Sequence, residues 1–364
     1  MSDVAKPPAS ETVSETSLLR FAKGGDQQAF QQLTEPHRRE LHLHSYRMLG
    51  SFHDAEDMVQ ETFLRAWRGL ASFDGRASMR HWLYRIATNT CLNALASRGR
   101  IGRALPEIYG PPTDKLPDRE PASEVRWLEP YPNSALEGIA DRSAGPDARY
   151  EMREAIQLAF IATIQLLPAR QRAVLLLRDV LGWSASEAAR LLNSSTAAVN
   201  SALQRARATL AERLSIGPPC VSVLTGGEER ALLERYVRAW ETTDVDEFTA
   251  LLHEDAQMSM PPWRQWYRGR SAIATFFAAT GRPGGHAPFR LLPTAANGQT
   301  AFAFYSRWQS SEWRFHSIQV LEFNRSTIER MTSFVMPALA SVLGLPHVLP
   351  PQDDITTKPV CGIC

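Results

Sequence analysis

Asp54-Ala-Glu-Asp-Met-Val-Gln-Glu-Thr-Phe-Leu-Arg-Ala-Trp67 decides how the front of this chain folds. Ala55, Met58, Val59, Thr62, Phe63, Ala66, Trp67 and Leu70 recur at steps of three and four, which predicts a helix over 54–70 with one buried stripe. His53-Asp54 supplies a capping start, and acids crowd the first turn, where the helix dipole favours negative charge. The opposite face carries Asp57, Gln60, Glu61 and Leu64. An acidic face with one outward leucine is either a solvated surface or a docking surface for another protein.

Downstream comes a break over 71–77, with Phe73, Gly75 and Arg76, and then Ser78 as a cap for a helix over 79–96. Leu83, Ile86, Ala87, Thr90 and Ala94 form its inward stripe. His81, Arg85 and Asn89 fall on another face at four-residue steps, with Arg80 and Trp82 beside them. Arginine meets phosphate, amides meet base edges, and an aromatic ring stacks on an unpaired base, so the set suits nucleic acid. The bland alternative is an ordinary basic helix on a small helical domain.

A second helical block follows. A helix over 150–165 ends at Leu166-Leu167-Pro168, and Pro168 starts another, with Val174, Leu175, Leu177 and Leu181 apolar and Gly182 at its end. Residues 184–192, a turn at Asn193-Ser194 and a helix over 195–214 have helix-turn-helix spacing. Ala189 is small where the helices must approach, and Asn193 suits a left-handed turn position. Val199 and Leu203 face inward. Thr196, Ala197, Asn200, Ser201, Gln204 and Arg205 then face outward, a small polar surface that fits a major groove, while Arg205 and Arg207 reach phosphates. A helical bundle with a basic face is the weaker alternative.

The 364 residues suggest two or three domains, and 44% apolar composition fits packed ones. No window reaches the ~20 apolar residues of a membrane span, and the first 16 residues have no signal-peptide core, so a cytoplasmic protein without membrane partners is expected. Cys91, Cys220, Cys361 and Cys364 are too few for a disulfide framework, and Cys361-Gly-Ile-Cys364 reads as part of a flexible tail rather than a metal or redox site. The net charge of +1 conceals a strong division. Residues 1–105 hold 14 basic and 11 acidic groups, 106–147 hold 4 and 9, 148–216 hold 9 and 5, and 217–364 hold 13 and 14. Two basic blocks thus flank an acidic one, which carries 8 of the 24 prolines and reads as a linker with little regular structure.

The run 54–67, followed by Trp82-Leu-Tyr-Arg-Ile-Ala-Thr-Asn-Thr-Cys-Leu-Asn93, resembles region two of bacterial extracytoplasmic-function (ECF) RNA polymerase sigma factors. The runs Leu167-Pro-Ala-Arg-Gln-Arg-Ala-Val-Leu-Leu-Leu-Arg-Asp179 and Ala198-Val-Asn-Ser-Ala-Leu-Gln-Arg-Ala-Arg207 resemble region four. Trp127-Leu-Glu-Pro-Tyr-Pro132 is close to a linker signature of the branch that carries a C-terminal SnoaL-like (NTF2-like) domain, nearest to its actinobacterial and mycobacterial members. The resemblance implies a multidomain chain. A disordered tail (1–16) precedes an all-α region two (17–105), an acidic Pro-rich linker (106–147) and an all-α region-four helix-turn-helix (148–216). An α+β SnoaL/NTF2-like cone (217–345) and a flexible tail (346–364) complete it.

It also implies roles. Asp57, Gln60, Glu61 and Leu64 dock on core RNA polymerase. Phe73, Arg76, Arg80, Trp82, Arg85 and Asn89 read and open the minus-ten promoter element. Thr196, Ala197, Asn200, Ser201, Gln204, Arg205 and Arg207 read the minus-thirty-five element. The linker passes through the polymerase, and the cone contacts the sigma domains intramolecularly and modulates them, with no cofactor, metal or catalytic residue. In the cone, helices are expected over 229–242, 244–252 and 269–279, and strands over 258–261, 290–296, 300–308, 313–323 and 327–335, with an Asn297-Gly298 hairpin. Trp263, Trp266, Trp308 and His316 are candidates to line a small-ligand pocket, and aromatic core is the commoner fate of such rings. The Asp-Gly-Gly-Gly and Asn-Pro-Asp signatures of the best-known group are absent. Two other readings stay open on the residues alone: a stand-alone helix-turn-helix regulator sensing a ligand in the cone, and a SnoaL-type cyclase or isomerase with a DNA-binding front.

Overall fold

The computed structural model describes residues 14–97, 103–117, 120–137, 139, 154–214, 226–280, 289–307 and 311–350. The first body holds α1 (Glu15–Lys23), α2 (Gln27–Thr34), α3 (Arg38–Leu49), α4 (Phe52–Gly69) and α5 (Met79–Ser97). Helix α4 starts two residues before the expected position, because Ser51 rather than His53-Asp54 is its cap: the Ser51 hydroxyl accepts from Asp54 N at 3.1 Å. Its Ala55, Val59, Thr62 and Ala66 are buried, and Met58, Phe63 and Trp67 pack beside them. Gly50 ends α3 with φ +71, and a Cβ there would lie 2.8 Å from Leu128 Cδ1. The α3–α4 corner therefore needs glycine both for its turn and for the linker pressed against it.

The second body holds α6 (Leu158–Ile164), α7 (Ala169–Leu175), α8 (Ala185–Leu191) and α9 (Thr196–Leu214). The helix expected over 150–165 is a correction. Residues 150–153 lie outside the described residues, and 155–157 form a turn. Helix α6 starts only at Leu158, whose N–H donates to the Gln299 side chain at 2.7 Å. Helix α7 runs on through a π-helical turn, Leu176–Val180, to Gly182 at φ +68. Ser184 and Glu187 close a capping box at α8, and Asn193 takes the left-handed conformation at φ 47.

Between the bodies the described linker has two short 3₁₀ turns, Pro106–Ile108 and Asn133–Ala135, and isolated β-bridges from Ala104 to Trp127 and from Pro132 to Ala296. It borrows hydrogen-bond partners from its surroundings. Leu128 N donates to Ala104 O (3.1 Å), Glu129 N to Gly50 O (3.0 Å), Thr113 N to Trp266 O (2.9 Å) and Ala122 N to Pro262 O (3.0 Å).

The third body pairs α10 (Gly226–Thr242), α11 (Val245–Ala250) and α12 (Arg270–Thr280) with a six-stranded sheet. The strands are β1 (Leu252–Ser259), β2 (Trp266–Arg268), β3 (Phe289–Ala296), β4 (Gln299–Ser306), β5 (Arg314–Asn324) and β6 (Thr327–Phe334), in the order β2-β1-β6-β5-β4-β3. Only β1 and β6 pair in parallel. Strand β1 begins at Leu252, six residues before the expected 258, and β2 was not expected. The second cone helix, capped at its start by Asp244, correspondingly ends at Ala250. A short helix, α13 (Leu339–Val342), follows the sheet.

The sheet is buried on both faces. Along β4, Phe302 and Phe304 join the cone core with Tyr236, Trp240, Phe248 and Phe277. Ala301, Ala303 and Tyr305 point the other way, into a continuous core shared with the first and second bodies. That alternation is the period-two geometry of a strand.

Candidate nucleic-acid interface

Three surfaces and one junction can be built from these elements. On α4, Asp57, Gln60 and Leu64 are exposed. Half-buried Glu61 pairs with Arg65 at 2.6 Å, one helical turn away. Leu64 is 51% exposed on an otherwise polar face, so it spends its apolar surface on nothing within the chain.

At the loop after α4, Phe73 is buried and its ring lies 4.8 Å from that of Trp82, at a tilt. Lys23 of α1 donates to the Phe73 carbonyl at 2.6 Å. Asp74 accepts from Arg76 N (3.0 Å) and Arg76 Nε (2.6 Å), and the Arg76 amide and guanidinium hold its carboxyl below the ordinary value. Arg80 is turned inward: its Nε donates to Glu40 Oε2 at 2.8 Å and its guanidinium lies 4.9 Å over the Tyr84 ring. Burial pushes the Glu40 carboxyl up, but hydrogen bonds from His37 and Arg80 outweigh it and leave the net shift downward. Arg76 and Arg85 are the exposed guanidinium groups here, with Asn89 half-buried on the same helix as Arg85. Arg98 and Arg100 lie outside the described residues.

On α9, Thr196, Ala197, Asn200, Ser201, Gln204, Arg205 and Arg207 are all exposed, while Val199 and Leu203 are buried. Arg205 Nη1 donates to Ser201 Oγ at 2.7 Å, and Arg207 holds Asp179 in a two-armed pair at 2.9 and 2.7 Å. The first turn of α9 is left small and polar.

The junction is made by residues that spacing did not mark. Arg172 of α7 is buried, and donates to Ile164 O (2.9 Å), Gln165 Oε1 (2.5 Å), Gln165 O (2.8 Å), Leu167 O (3.2 Å) and Met48 O at the end of α3. Burial lowers its guanidinium to about 10. Carbonyls at a helix C-terminus carry partial negative charge, which compensates the desolvated cation. Trp183 of the second body lies 4.4 Å from the His81 ring and 5.7 Å from Tyr84 on α5. Asn297, fully buried at the β3–β4 hairpin tip, reaches all the other parts. Its Nδ2 donates to Tyr46 OH (3.0 Å) and Ile156 O (2.9 Å), its N to Tyr131 O (2.8 Å), and its Oδ1 accepts from Tyr131 N (2.8 Å). The sequence read Asn297-Gly298 only as a turn. Its φ values of 55 and 68 confirm that turn, but a turn signal cannot show what the tip touches.

Three of the four pocket candidates lie among the described residues. Trp266 is buried with its Nε1 donating to Gly110 O of the linker at 2.9 Å. Trp263 is half-buried, Trp308 lies outside the described residues, and His316 packs edge-on to Phe289 at 5.3 Å. Burial pushes the His316 imidazole down to about 4. Trp240 is surrounded by Phe248, Phe277, Phe289 and Phe304 at 4.8–5.8 Å, an aromatic core rather than a lining. Among the described residues no group of three or more His, Cys, Asp or Glu side chains is placed to hold a metal ion. Among them, too, no helix is long and apolar enough to cross a membrane.

The fold is that of two helical bodies, the second with a helix-turn-helix, joined to an α+β cone. The family model for Sigma-70 region 2 matches residues 33–101, that for Sigma-70, region 4 matches 157–210, and that for the SnoaL-like domain matches 233–331. The chain is 42% identical over 321 residues to the ECF RNA polymerase sigma factor SigG of Mycobacterium tuberculosis, covering 88% of this chain and 85% of that one. It is 33% identical over 201 residues to SigM of the same species, covering 55% of this chain and 85% of SigM. The crystal structure of M. tuberculosis SigJ has a similar fold, with a TM-score of 0.55 at 20% identity over 86% of this chain and 98% of that one. The chain belongs to the ECF RNA polymerase sigma factors and carries a C-terminal SnoaL-like domain.

Proposed function

We propose that this sigma factor binds core RNA polymerase in the cytoplasm, directs it to promoters, and is held at rest by its own C-terminal domain. The α4 face of Asp57, Gln60, Glu61 and Leu64 docks on the polymerase. Phe73, Arg76, Trp82, Arg85 and Asn89 engage the minus-ten element, with Arg80 supporting α5 through Glu40. Thr196, Ala197, Asn200, Ser201, Gln204, Arg205 and Arg207 engage the minus-thirty-five element. The chain supplies specificity and no chemistry of its own.

The observation that carries this reading is the direct contact between the two promoter-reading bodies. Trp183 and His81 are 4.4 Å apart. Elements some 25 base pairs apart are separated by ~85 Å at about 3.4 Å per base pair. A chain packed this way cannot engage both on one duplex, so it must open. The Asn297 hairpin touches the first body, the linker and the second body at once, which makes the cone the element that resists opening. Being tethered, it does so at high effective concentration.

Run-off transcription with purified core polymerase tests both parts. Asn297→Ala in the full chain is expected to raise transcript yield several-fold, and an unchanged yield would count against restraint by the cone. Asp57→Arg with Glu61→Arg is expected to abolish transcription and co-purification with core. Undiminished binding would remove the docking assignment.

A further inference from the structure

Glu129 stands in the linker, yet its carboxylate is built into the start of α4. Its Oε2 accepts from Ser51 Oγ (2.9 Å), Phe52 N (3.0 Å) and His53 N (3.4 Å), and lies 3.0 Å from His53 Nδ1. Its Oε1 lies 3.2 Å from Arg103 Nη1, and Arg103 also grips Asp54 of α4 at 2.9 Å. The first amides of a helix have no partner within it and point toward a site that favours an anion. A glutamate 76 residues away in sequence from His53 fills that site here. Next to it, Tyr131 is paired with Asn297 of the cone.

His53 also shares the stripe of the docking face. At about 100° per residue, His53, Asp57, Gln60 and Leu64 fall within a narrow sector of α4. The His53 side chain is 57% exposed, so one edge meets Glu129 and the rest faces solvent beside Asp57.

We propose that Glu129 is a positioning residue through which the cone controls polymerase docking, and that His53 extends the docking face to the point where linker and polymerase compete. The proposal rests on the α4 docking assignment above. In the closed chain, the cone holds Tyr131, and the neighbouring Glu129 holds the first turn of α4 and the His53 ring. Polymerase seated on α4 takes His53 away from Glu129, so docking loosens the linker, and a loosened linker favours docking.

The test measures core binding by titration of the labelled full chain, with amide exchange at Phe52 and His53 read in the free chain and in holoenzyme. Glu129→Gln keeps the side-chain volume and is expected to tighten core binding about three- to ten-fold, since it removes a competitor for the docking-competent state. Exchange at the two amides speeds up in the free chain and matches the parent in holoenzyme. Unchanged or weaker binding overturns the proposal, as does faster exchange that persists in holoenzyme, the mark of a static cap. His53→Ala is expected to weaken core binding, and unaltered binding removes His53 from the face. Asp57→Arg run alongside separates the two failures: if it leaves core binding intact, the docking face itself is wrong.

Discussion

Asn297 and Tyr131 pair through two hydrogen bonds of 2.8 Å, Asn297 N to Tyr131 O and Tyr131 N to Asn297 Oδ1, across 166 residues of sequence. The side chain extends the strand-like pairing that begins at the neighbouring Pro132–Ala296 bridge. The same asparagine donates to Tyr46 OH and Ile156 O, so one residue satisfies groups from the first body, the linker and the second body.

Removing that side chain takes the partner from Ile156 O and Tyr131 N and one bond from Tyr46 OH, which keeps its donation to Glu129 O. Each unsatisfied buried donor or acceptor costs about 1–3 kcal/mol, and alanine is also strained at φ 55. Asn297→Ala should therefore destabilise the closed chain by about 2–4 kcal/mol. Asn297→Asp keeps the acceptor for Tyr131 N but loses the donors to Tyr46 and Ile156, and should fall between the two. Urea unfolding of the three proteins orders them, and equal stability of Asn297→Ala and the parent would remove the keystone role.

Arg172 makes the corresponding argument for the contact between the bodies. Its charge is buried among carbonyls and has no carboxylate in its hydrogen-bond set. Arg172→Met fills the volume but leaves the carbonyls of Met48, Ile164, Gln165 and Leu167 without that donor. A loss of about 3 kcal/mol or more is expected. Arg172→Lys recovers only part, because one ammonium cannot reproduce the planar fork. Thermal melting of both variants decides it, and a Lys variant as stable as the parent would show that charge alone suffices.

How much of this was legible follows from the range of each signal. The α4 stripe, the α8–α9 turn at Asn193 and the β3–β4 hairpin are local periodicities or turn chemistries, and they appear within a few residues of where the sequence puts them. The start of α4 was misplaced because Ser51 competes with Asp54 as a cap and wins. The helix expected over 150–165 is interrupted at 155–157, where Leu158 N turns to Gln299, a partner 141 residues away that no window contains. Glu129, Arg172, Asn297 and Lys23 act through contacts between segments far apart in sequence. Contacts of that range leave no periodicity or turn signal in the local sequence. Arg80 shows the reverse: its spacing placed it beside a basic face, but Glu40 and Tyr84 hold it inward.

Buried histidines make the fold sensitive to acid: His42, His44 and His316 are all lowered by burial. Burial lowers His44 to about 3 and His316 to about 4, both from 6.5. A base whose folded value is depressed stays neutral in the fold while the unfolded chain takes up its proton. Stability is therefore intact above pH 6.5 and falls as pH drops through the window between 6.5 and the folded values. At pH 5 His44 and His316 each cost about 2 kcal/mol relative to pH 7.5 by linkage. His316→Leu, packed beside Phe289, should remove one of these contributions. Unfolding free energies at pH 7.5 and pH 5 for parent and variant check it: the difference between the two pH values should shrink in the variant, and an unchanged difference would exclude His316 as its source.

The linker is also held by a charge cluster that is one carboxylate too many. Arg330 of β6 lies 3.8 Å from Glu322 of β5 and 3.8 Å from Glu107 of the linker. Burial pushes the Glu322 carboxyl up, an effect that Arg330 opposes and Glu329 and Glu107 reinforce. Neither Glu107 oxygen has a hydrogen-bond partner, so its buried charge is poorly compensated. Because the folded value of Glu322 is raised, the closed chain gains proton affinity on folding. This grip on the linker strengthens as pH falls toward the ordinary carboxylate range and weakens as pH rises. Glu107→Gln removes one of two competing anions and should be neutral or stabilising by up to about 1 kcal/mol, whereas Arg330→Met leaves two buried carboxylates facing each other and should cost about 3–5 kcal/mol. Melting temperatures of parent and variants, measured from the ordinary carboxylate range near pH 4.5 up to pH 8, test both the order and the sign. Glu107→Gln should flatten the pH dependence relative to the parent, and a melting temperature well below that of the parent would show that Glu107 is a stabilising partner of Arg330 rather than a surplus charge.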